Sequence, residues 1–245
     1  SAEIKACIQD IVAWCKELGI YVLIDWHVMT TDRSIVEYKT IAEEFFTWAS
    51  TTFALDGNVM FEIANEPYKD TAASMQDYAQ SLINIIQGNI PNAVIVRGHG
   101  SNGVGALYTM LQGIGKEGEV FISDHAYVYD ETDALTKFQT NYGNDYPLFT
   151  SEWGNSDLSG NGKTNDTLAQ QFINWHYENA IPNIAWKFTY RDSTTSLLIP
   201  NREAQIGDYF KNGFSFSDLT HNGILYLTNF RYNAFRNYIE REPVL

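Results

Sequence analysis

Cysteine is scarce in this chain: Cys7 and Cys15 are the only two in 245 residues. They fall eight residues apart on one predicted helix, roughly 12 Å along its axis, too far to bridge each other. No disulfide framework is available, and both thiols are expected to be buried; two cysteines do not fix the redox compartment. Positive charge is also scarce, with 16 Lys and Arg against 30 Asp and Glu and a formal net charge of −14. No basic cluster interrupts that balance, so a phosphate backbone would be repelled and nucleic acid is excluded as a partner. No run of about 18 apolar residues occurs, so no membrane-spanning helix is expected. No G-x-G-x-x-G follows a strand-like run, and neither H-x-x-x-H nor C-x-x-C spacing is present, so no nucleotide, metal or other cofactor is implied. G-x-S-x-G is missing too, which sets aside a serine esterase. No linker, low-complexity tract or charge block divides the chain, and residues 1–245 are read as one domain.

What the chain does have is apolar and aromatic bulk. Apolar residues make up 44% of it, and 15 Tyr, 14 Phe and 6 Trp exceed what a small core needs. Some of these rings are available for a binding surface suited to flat ligands such as sugar rings. The first segment, AEIKACIQDIVAWCKELG, places Ile4, Ile8, Ile11, Cys15 and Leu18 on one helical face and ends at Gly19. The apolar run IYVLIDWH follows, and the alternation then recurs. Strands are predicted near 20–26, 59–64, 94–97, 120–124, 148–151 and 184–189. Helices are predicted near 39–53, 72–88, 103–112, 131–141, 165–180 and 218–239. Uniformly apolar strands alternating with helices point to a parallel sheet covered by helices.

The polar residues gather where the strands stop: Asp25-Trp26-His27, Asn65-Glu66-Pro67, Gly98-His99-Gly100, Asp124-His125-Ala126-Tyr127, Ser151-Glu152-Trp153-Gly154 and Trp186. In a β/α barrel these carboxyl ends converge on one mouth, whereas a doubly wound sheet would gather them at a switch-point crevice. Glu66 and Glu152 each end an apolar run, so neither reads as a routine solvated charge. One reading pairs each with a cation such as Arg97, Lys187 or Arg191 to tie down a loop. The other makes them a general acid and a nucleophile across one bond. Acetal hydrolysis needs a proton on the leaving oxygen and negative charge against an oxocarbenium-like carbon, which two carboxyl groups supply.

The pieces IDWH, FEIANEP, DHAY, TSEWG and AWKFTYRDSTTSLLIP, with the tail SDLTHNGILYLTNFR, resemble glycoside hydrolase family 5, the cellulase family of retaining β/α-barrel glycosidases. The resemblance runs over nearly the whole chain. It implies an α/β fold of the TIM (β/α)8 type, here incomplete, with about six βα units equivalent to strands three to eight. It implies that Glu66 is the acid/base and Glu152 the nucleophile, about 5 Å apart for retention, with the raised carboxyl pKa at Glu66. Asn65 would bond the 2-hydroxyl of the sugar being cleaved, Tyr127 would orient Glu152, and His125 would lie between the carboxylates. His27 would touch substrate, Trp186 would be a platform under a sugar face, and Arg191 would grip a glucose further along. Trp26 and Trp153 read as packing residues, Asp124 as an orienting partner, and His99 is undecided.

The implied activity is endo-hydrolysis of β-1,4-glucan with retention. Mannan, xylan and mixed-linkage glucan remain open, as does a barrel remnant that binds glucan without turnover. Secretion is implied by the resemblance, with no signal peptide in the chain. The resemblance departs at the start, where two βα units and an arginine near the nucleophile have no counterpart. Residues Ile20 to Trp26 would then form an open edge, so a homo-oligomer or complementation by a separate N-terminal segment is expected.

Overall fold

The computed structural model describes residues 1–28, 33–67, 70–91, 93–97, 120–141, 148–199 and 215–230. The predicted helix at 103–112, the end of the last helix and His99 lie outside them. Helix α1 (Ala2–Glu17) leads to β1 (Val22–Asp25), a 3-10 turn (Ile35–Tyr38), α2 (Lys39–Thr52), β2 (Val59–Glu62), α3 (Ala72–Asn89) and β3 (Ile95–Arg97). Then come β4 (Val120–Tyr127), α4 (Ala134–Asn141), β5 (Leu148–Gly154), α5 (Asp166–Glu178) and β6 (Asn183–Ala185). A last helix, α6, begins at His221 and is described to 230. The six strands are hydrogen-bonded in the order β1-β2-β3-β4-β5-β6, and the pairs β1–β2, β2–β3, β3–β4 and β5–β6 are parallel. Sequential parallel strands joined through helices are the repeat of a β/α barrel, so the fold class expected from the alternation is the one observed.

Internal packing divides the chain into two units, Ser1–Asp124 with Asn141–Phe149, and His125–Thr140 with Thr150–Leu245. In the first unit, Ser1 caps the Ile4 amide at the start of α1. The helix ends in a Schellman turn: Ile20 N–H donates to the Cys15 carbonyl, Gly19 N–H to that of Lys16, and Gly19 takes φ +67°. That left-handed φ is what makes glycine the suitable residue there. Phe46, Phe61, Ile63, Tyr78, Leu82, Ile83 and Ile86 are fully buried between the sheet and helices α2 and α3. Asp70 accepts the Ile35 amide at 2.9 Å and the Ser34 hydroxyl, which anchors the 3-10 turn. Thr71 and Ser74 form a capping box at the start of α3.

α1 departs from expectation. Its least exposed positions are Lys5, Ile8, Val12 and Cys15, with only Val12 buried, while Ile4, Ile11 and Leu18 are exposed. The buried arc is turned by about one residue from the one the periodicity suggested. Ile4, Ile8, Ile11, Val12, Trp14 and Cys15 spread apolar character around more than half the helix, so the period alone does not choose a face. The expected burial of the thiols fails accordingly: Cys7 is exposed and Cys15 half-buried.

In the second unit, Trp153 is buried between Phe172, at 5.1 Å, and Tyr226, at 4.9 Å, and its indole N–H donates to Asn183 Oδ1. Trp153 is thus a packing residue, as read from sequence. Asn155, with no exposed surface, is the hub of the chain after β5. Its side chain donates to Asp166 Oδ1 at 2.8 Å and Asn222 Oδ1 at 3.0 Å, and accepts the Asn165 amide at 2.8 Å. Burial pushes the Asp166 carboxyl up, but hydrogen bonds from Asn155 and His221, with the charge of that imidazole, outweigh it and hold the group below its ordinary value. The start of α5 and the start of α6 are therefore tied to the end of β5.

Candidate active site

In the first unit, β1 and β2 run in register with Asp25 beside Glu62. Beyond Asp25, the chain places His27 so that its Nδ1 lies 2.7 Å from Asp25 Oδ2. Trp26 turns inward against Phe45, at 5.2 Å, and Phe46, at 6.4 Å, consistent with packing. β2 stops earlier than its apolar run suggested. Its last residue is Glu62, only 3% exposed, and Glu66 comes four residues later, half-buried. The intervening residues are held individually. Ile63 N–H donates to the Val96 carbonyl at 3.0 Å, and the buried Tyr78 hydroxyl donates to the Ile63 carbonyl at 2.8 Å. Burial foremost, then the Asp70 and Glu43 charges, push that phenol far above its ordinary value, so it stays a neutral donor. Asn65 is buried directly beside Glu66. Glu62 is the acidic residue that sequence reasoning missed; its place inside FEIANEP made it look like one more strand residue.

In the second unit, His125 and Tyr127 lie two residues apart on β4 and so share a face. Both are buried, as are Ser151 and Glu152 of β5. The Tyr127 hydroxyl donates to Glu152 Oε1 at 2.6 Å. His125 Nδ1 lies 3.9 Å from that same oxygen, while its Nε2 is 3.2 Å from Ser151 Oγ. A short phenol-to-carboxylate hydrogen bond orients the carboxyl group and stabilises its negative charge. Space for the phenol comes from Gly154: a Cβ there would stand 2.9 Å from Tyr127 Cε1 and 3.1 Å from Thr195 Cγ2. The glycine of E-W-G is thus needed for close approach rather than for its backbone angles.

Trp186 follows β6 directly, and its amide donates to the Trp153 carbonyl at 2.8 Å. Lys187 Nζ lies 5.0 Å from the Trp186 ring centroid, within cation–π range. The next residues form a tied loop: Lys187 N–H donates to Thr195 O, Leu197 N–H to Lys187 O and Leu198 N–H to Thr189 O, at 3.0–3.1 Å. Arg191 projects from that loop, exposed, with its amide 3.3 Å from Thr189 Oγ1. The structure therefore gathers His125, Tyr127 and Glu152 into one cluster. It sets His27 two residues beyond the end of β1, Asn65 and Glu66 three and four residues beyond the end of β2, and Trp186 and Arg191 after β6. Asp124, the expected orienting residue, is buried on β4.

A family model described as Cellulase (glycosyl hydrolase family 5) matches residues 1–192. The chain belongs to glycosyl hydrolase family 5. Among its relatives, Endoglucanase A of Evansella cellulosilytica is 28% identical over 212 residues, covering 80% of this chain and 41% of the relative. An endoglucanase of Clostridium saccharobutylicum is 27% identical over 226 residues, covering 91% of this chain and 48% of the relative. The chain thus spans less than half the length of either relative. The solved catalytic domain of a Thermobifida fusca endoglucanase superposes with a TM-score of 0.79 at 21% identity, covering 92% of this chain and 73% of that one. At that identity the superposition speaks for the fold, which is the family 5 barrel type.

Proposed function

We propose that this family 5 protein is an endo-acting glycoside hydrolase that cleaves β-1,4-glucan with retention, Glu66 being the acid/base and Glu152 the nucleophile. The observation that carries the reading is Glu152 itself. It is a carboxylate 8% exposed on β5 whose Oε1 is aimed by the Tyr127 hydroxyl at 2.6 Å. A buried acid serving only to tie a loop has no need of a phenol that fixes one oxygen and leaves a second for reaction. The relatives named endoglucanase support the same substrate class.

In this reading Glu66 protonates the glycosidic oxygen as Glu152 attacks the anomeric carbon from the opposite face. The bond to the leaving sugar breaks and a glycosyl ester of Glu152 forms. Glu66, now ionised, takes a proton from water, which displaces Glu152 and regenerates both groups. Asn65 holds the 2-hydroxyl, where a hydrogen bond strengthens as the ring flattens. His27 and His125 contact the substrate or the carboxyl groups, Trp186 supports a sugar face, and Arg191 binds further along the chain. The retaining route requires the two carboxyl groups about 5 Å apart, against ~6.5–9.5 Å for an inverting one. Following fresh hydrolysis of a cello-oligosaccharide by proton NMR is expected to show the β-anomer of the new reducing end first. An initial α-anomer would overturn retention, and cleavage of mannan or xylan in place of glucan would overturn the substrate assignment.

Three further parts of the reading are proposals of the same kind. Residues 1–245 act as a single catalytic domain, a view supported by β4 and β5, which each run unbroken through the division between the two packing units. The site of action is extracellular, as suits a polymer too large to enter a cell. A second copy of this chain covers α1 and β1, where Ile4, Trp14, Leu18 and Tyr21 are 59–73% exposed, more apolar surface than isolated side chains explain. Light scattering on the eluting protein is expected to give a dimer mass. A monodisperse monomer would rule association out, and recruitment of a separate N-terminal fragment would replace the second copy.

A further inference from the structure

The phenol that aims Glu152 is itself held by a residue outside every motif discussed so far. Tyr127 is the last residue of β4. Its amide donates to Glu131 Oε2 at 2.7 Å, and Glu131 N–H donates back to the Tyr127 carbonyl at 3.1 Å. These two reciprocal bonds, one from backbone to side chain and one from backbone to backbone, close the turn 127–131. The hydrogen bond to an ionised carboxylate is also roughly twice as strong as one to a neutral acceptor. On the other side, Val128 N–H donates to the Gly154 carbonyl and Tyr129 N–H to that of Ser156, each at 3.1 Å. The ring of Tyr127 lies against Gly154, where there is no room for a Cβ.

Resting on the reading of Glu152 as nucleophile, we propose that Glu131 is a positioning residue for the reaction: it locks the Tyr127 backbone, and through the phenol it sets the attacking oxygen. The alternative role for Glu131 is that of an ordinary turn acid among the polar residues Asp130, Thr132 and Asp133. The reciprocal bonding separates the two roles. A solvated turn acid contributes to the turn alone, whereas this carboxylate is bonded to the residue whose hydroxyl touches Glu152. Freed of the clamp, Tyr127 can shift at its backbone while the ring stays wedged beside Gly154, and the 2.6 Å bond to Glu152 is the contact that lengthens. Misplacement of a reacting group on the ångström scale costs up to about 100-fold in rate.

Glu131→Ala is expected to lower kcat on a cello-oligosaccharide about tenfold, with KM within about twofold of wild type. Glu131→Gln, whose amide oxygen can accept the same N–H, recovers most of the loss. In a Tyr127→Phe background the Glu131→Ala change adds little, because the phenol through which it acts is gone. Should Glu131→Ala fail to fold, Glu131→Asp serves in its place, since its carboxylate is one methylene short of the Tyr127 amide. Wild-type kcat in a folded Glu131→Ala, or an equal fold-loss in both backgrounds, overturns the positioning role while leaving the hydrolase reading intact. Activity that survives Glu152→Gln overturns both.

Discussion

Replacing Glu152 by glutamine is expected to lower kcat on carboxymethylcellulose by on the order of 10⁴-fold or more, with glucan binding retained. Glutamine has the same shape and its carbonyl oxygen can still accept from the Tyr127 hydroxyl, which lies 2.6 Å from Glu152 Oε1. What disappears is the anion that, in the proposed mechanism, attacks the anomeric carbon and stabilises positive charge on the ring. Glu66→Gln should behave differently. On cellulose-like chains, whose alkoxide leaving groups need a proton, its loss should be ~10²–10⁴-fold. On an aryl cellobioside with an acidic phenol, the first step needs no proton and should be nearly unaffected. An external anion such as azide would then rescue the second step of Glu66→Ala and yield a β-glycosyl azide, whereas Glu152→Ala with azide would yield the α product by a single displacement. Swapped stereochemistry would reverse the two roles. If wild type and Glu152→Gln are equally inactive yet bind glucan alike, the chain is a glucan-binding barrel and the hydrolase reading fails.

Much of the fold was legible in the sequence because strands covered by helices are near-continuously apolar, and each of the six apolar runs overlaps a strand of the sheet. β6, however, spans only Asn183–Ala185 and is largely exposed, so that 186–189 of the expected strand 184–189 lie in the loop after it. Their ends were less legible. Ile63 and Ala64 continue the apolar run of β2, yet the strand ends at Glu62; Ile63 N–H still donates to the Val96 carbonyl, while the Ile63 carbonyl accepts from the Tyr78 hydroxyl of α3, a long-range contact that no local pattern announces. At the candidate site, residue types that suit the proposed chemistry stood at or just beyond strand ends and could be singled out one by one. The supports could not. Gly154 matters for the ring packed against it, and Glu131 for the amide it reaches back to. Asn155 matters for joining the starts of two helices that lie 11 and 67 residues onward. Each is a relation between positions, and sequence spacing carries no trace of it. The face of α1 was misread for a related reason: the partner surface, rather than the helix's own period, decides which side of a broadly apolar helix is covered.

Acid is expected to destabilise this protein through a histidine outside the proposed site. His176, on α5, has no exposed surface. Its Nδ1 lies 2.8 Å from the Phe172 carbonyl and its Nε2 lies 2.7 Å from Thr150 Oγ1. A carbonyl can only accept, so Nδ1 carries the proton, and Nε2 accepts from the Thr150 hydroxyl as a neutral imidazole. Burial lowers the His176 pKa from 6.5 to about 4, with the Phe172 hydrogen bond working in the opposite direction. Between those two values the unfolded chain binds the proton and the folded one does not. The stability from keeping this ring neutral is therefore complete above pH ~6.5 and drains away as pH falls toward ~4, by ~3 kcal/mol at most. Other carboxylates titrate at the lower end of that window, so the measurement is a difference. Urea unfolding of wild type and His176→Gln should be compared at pH 7, 6, 5 and 4, the glutamine being able to make both hydrogen bonds without titrating. The free-energy gap between the two should move in favour of the variant as pH falls; parallel curves would mean that His176 charges without cost.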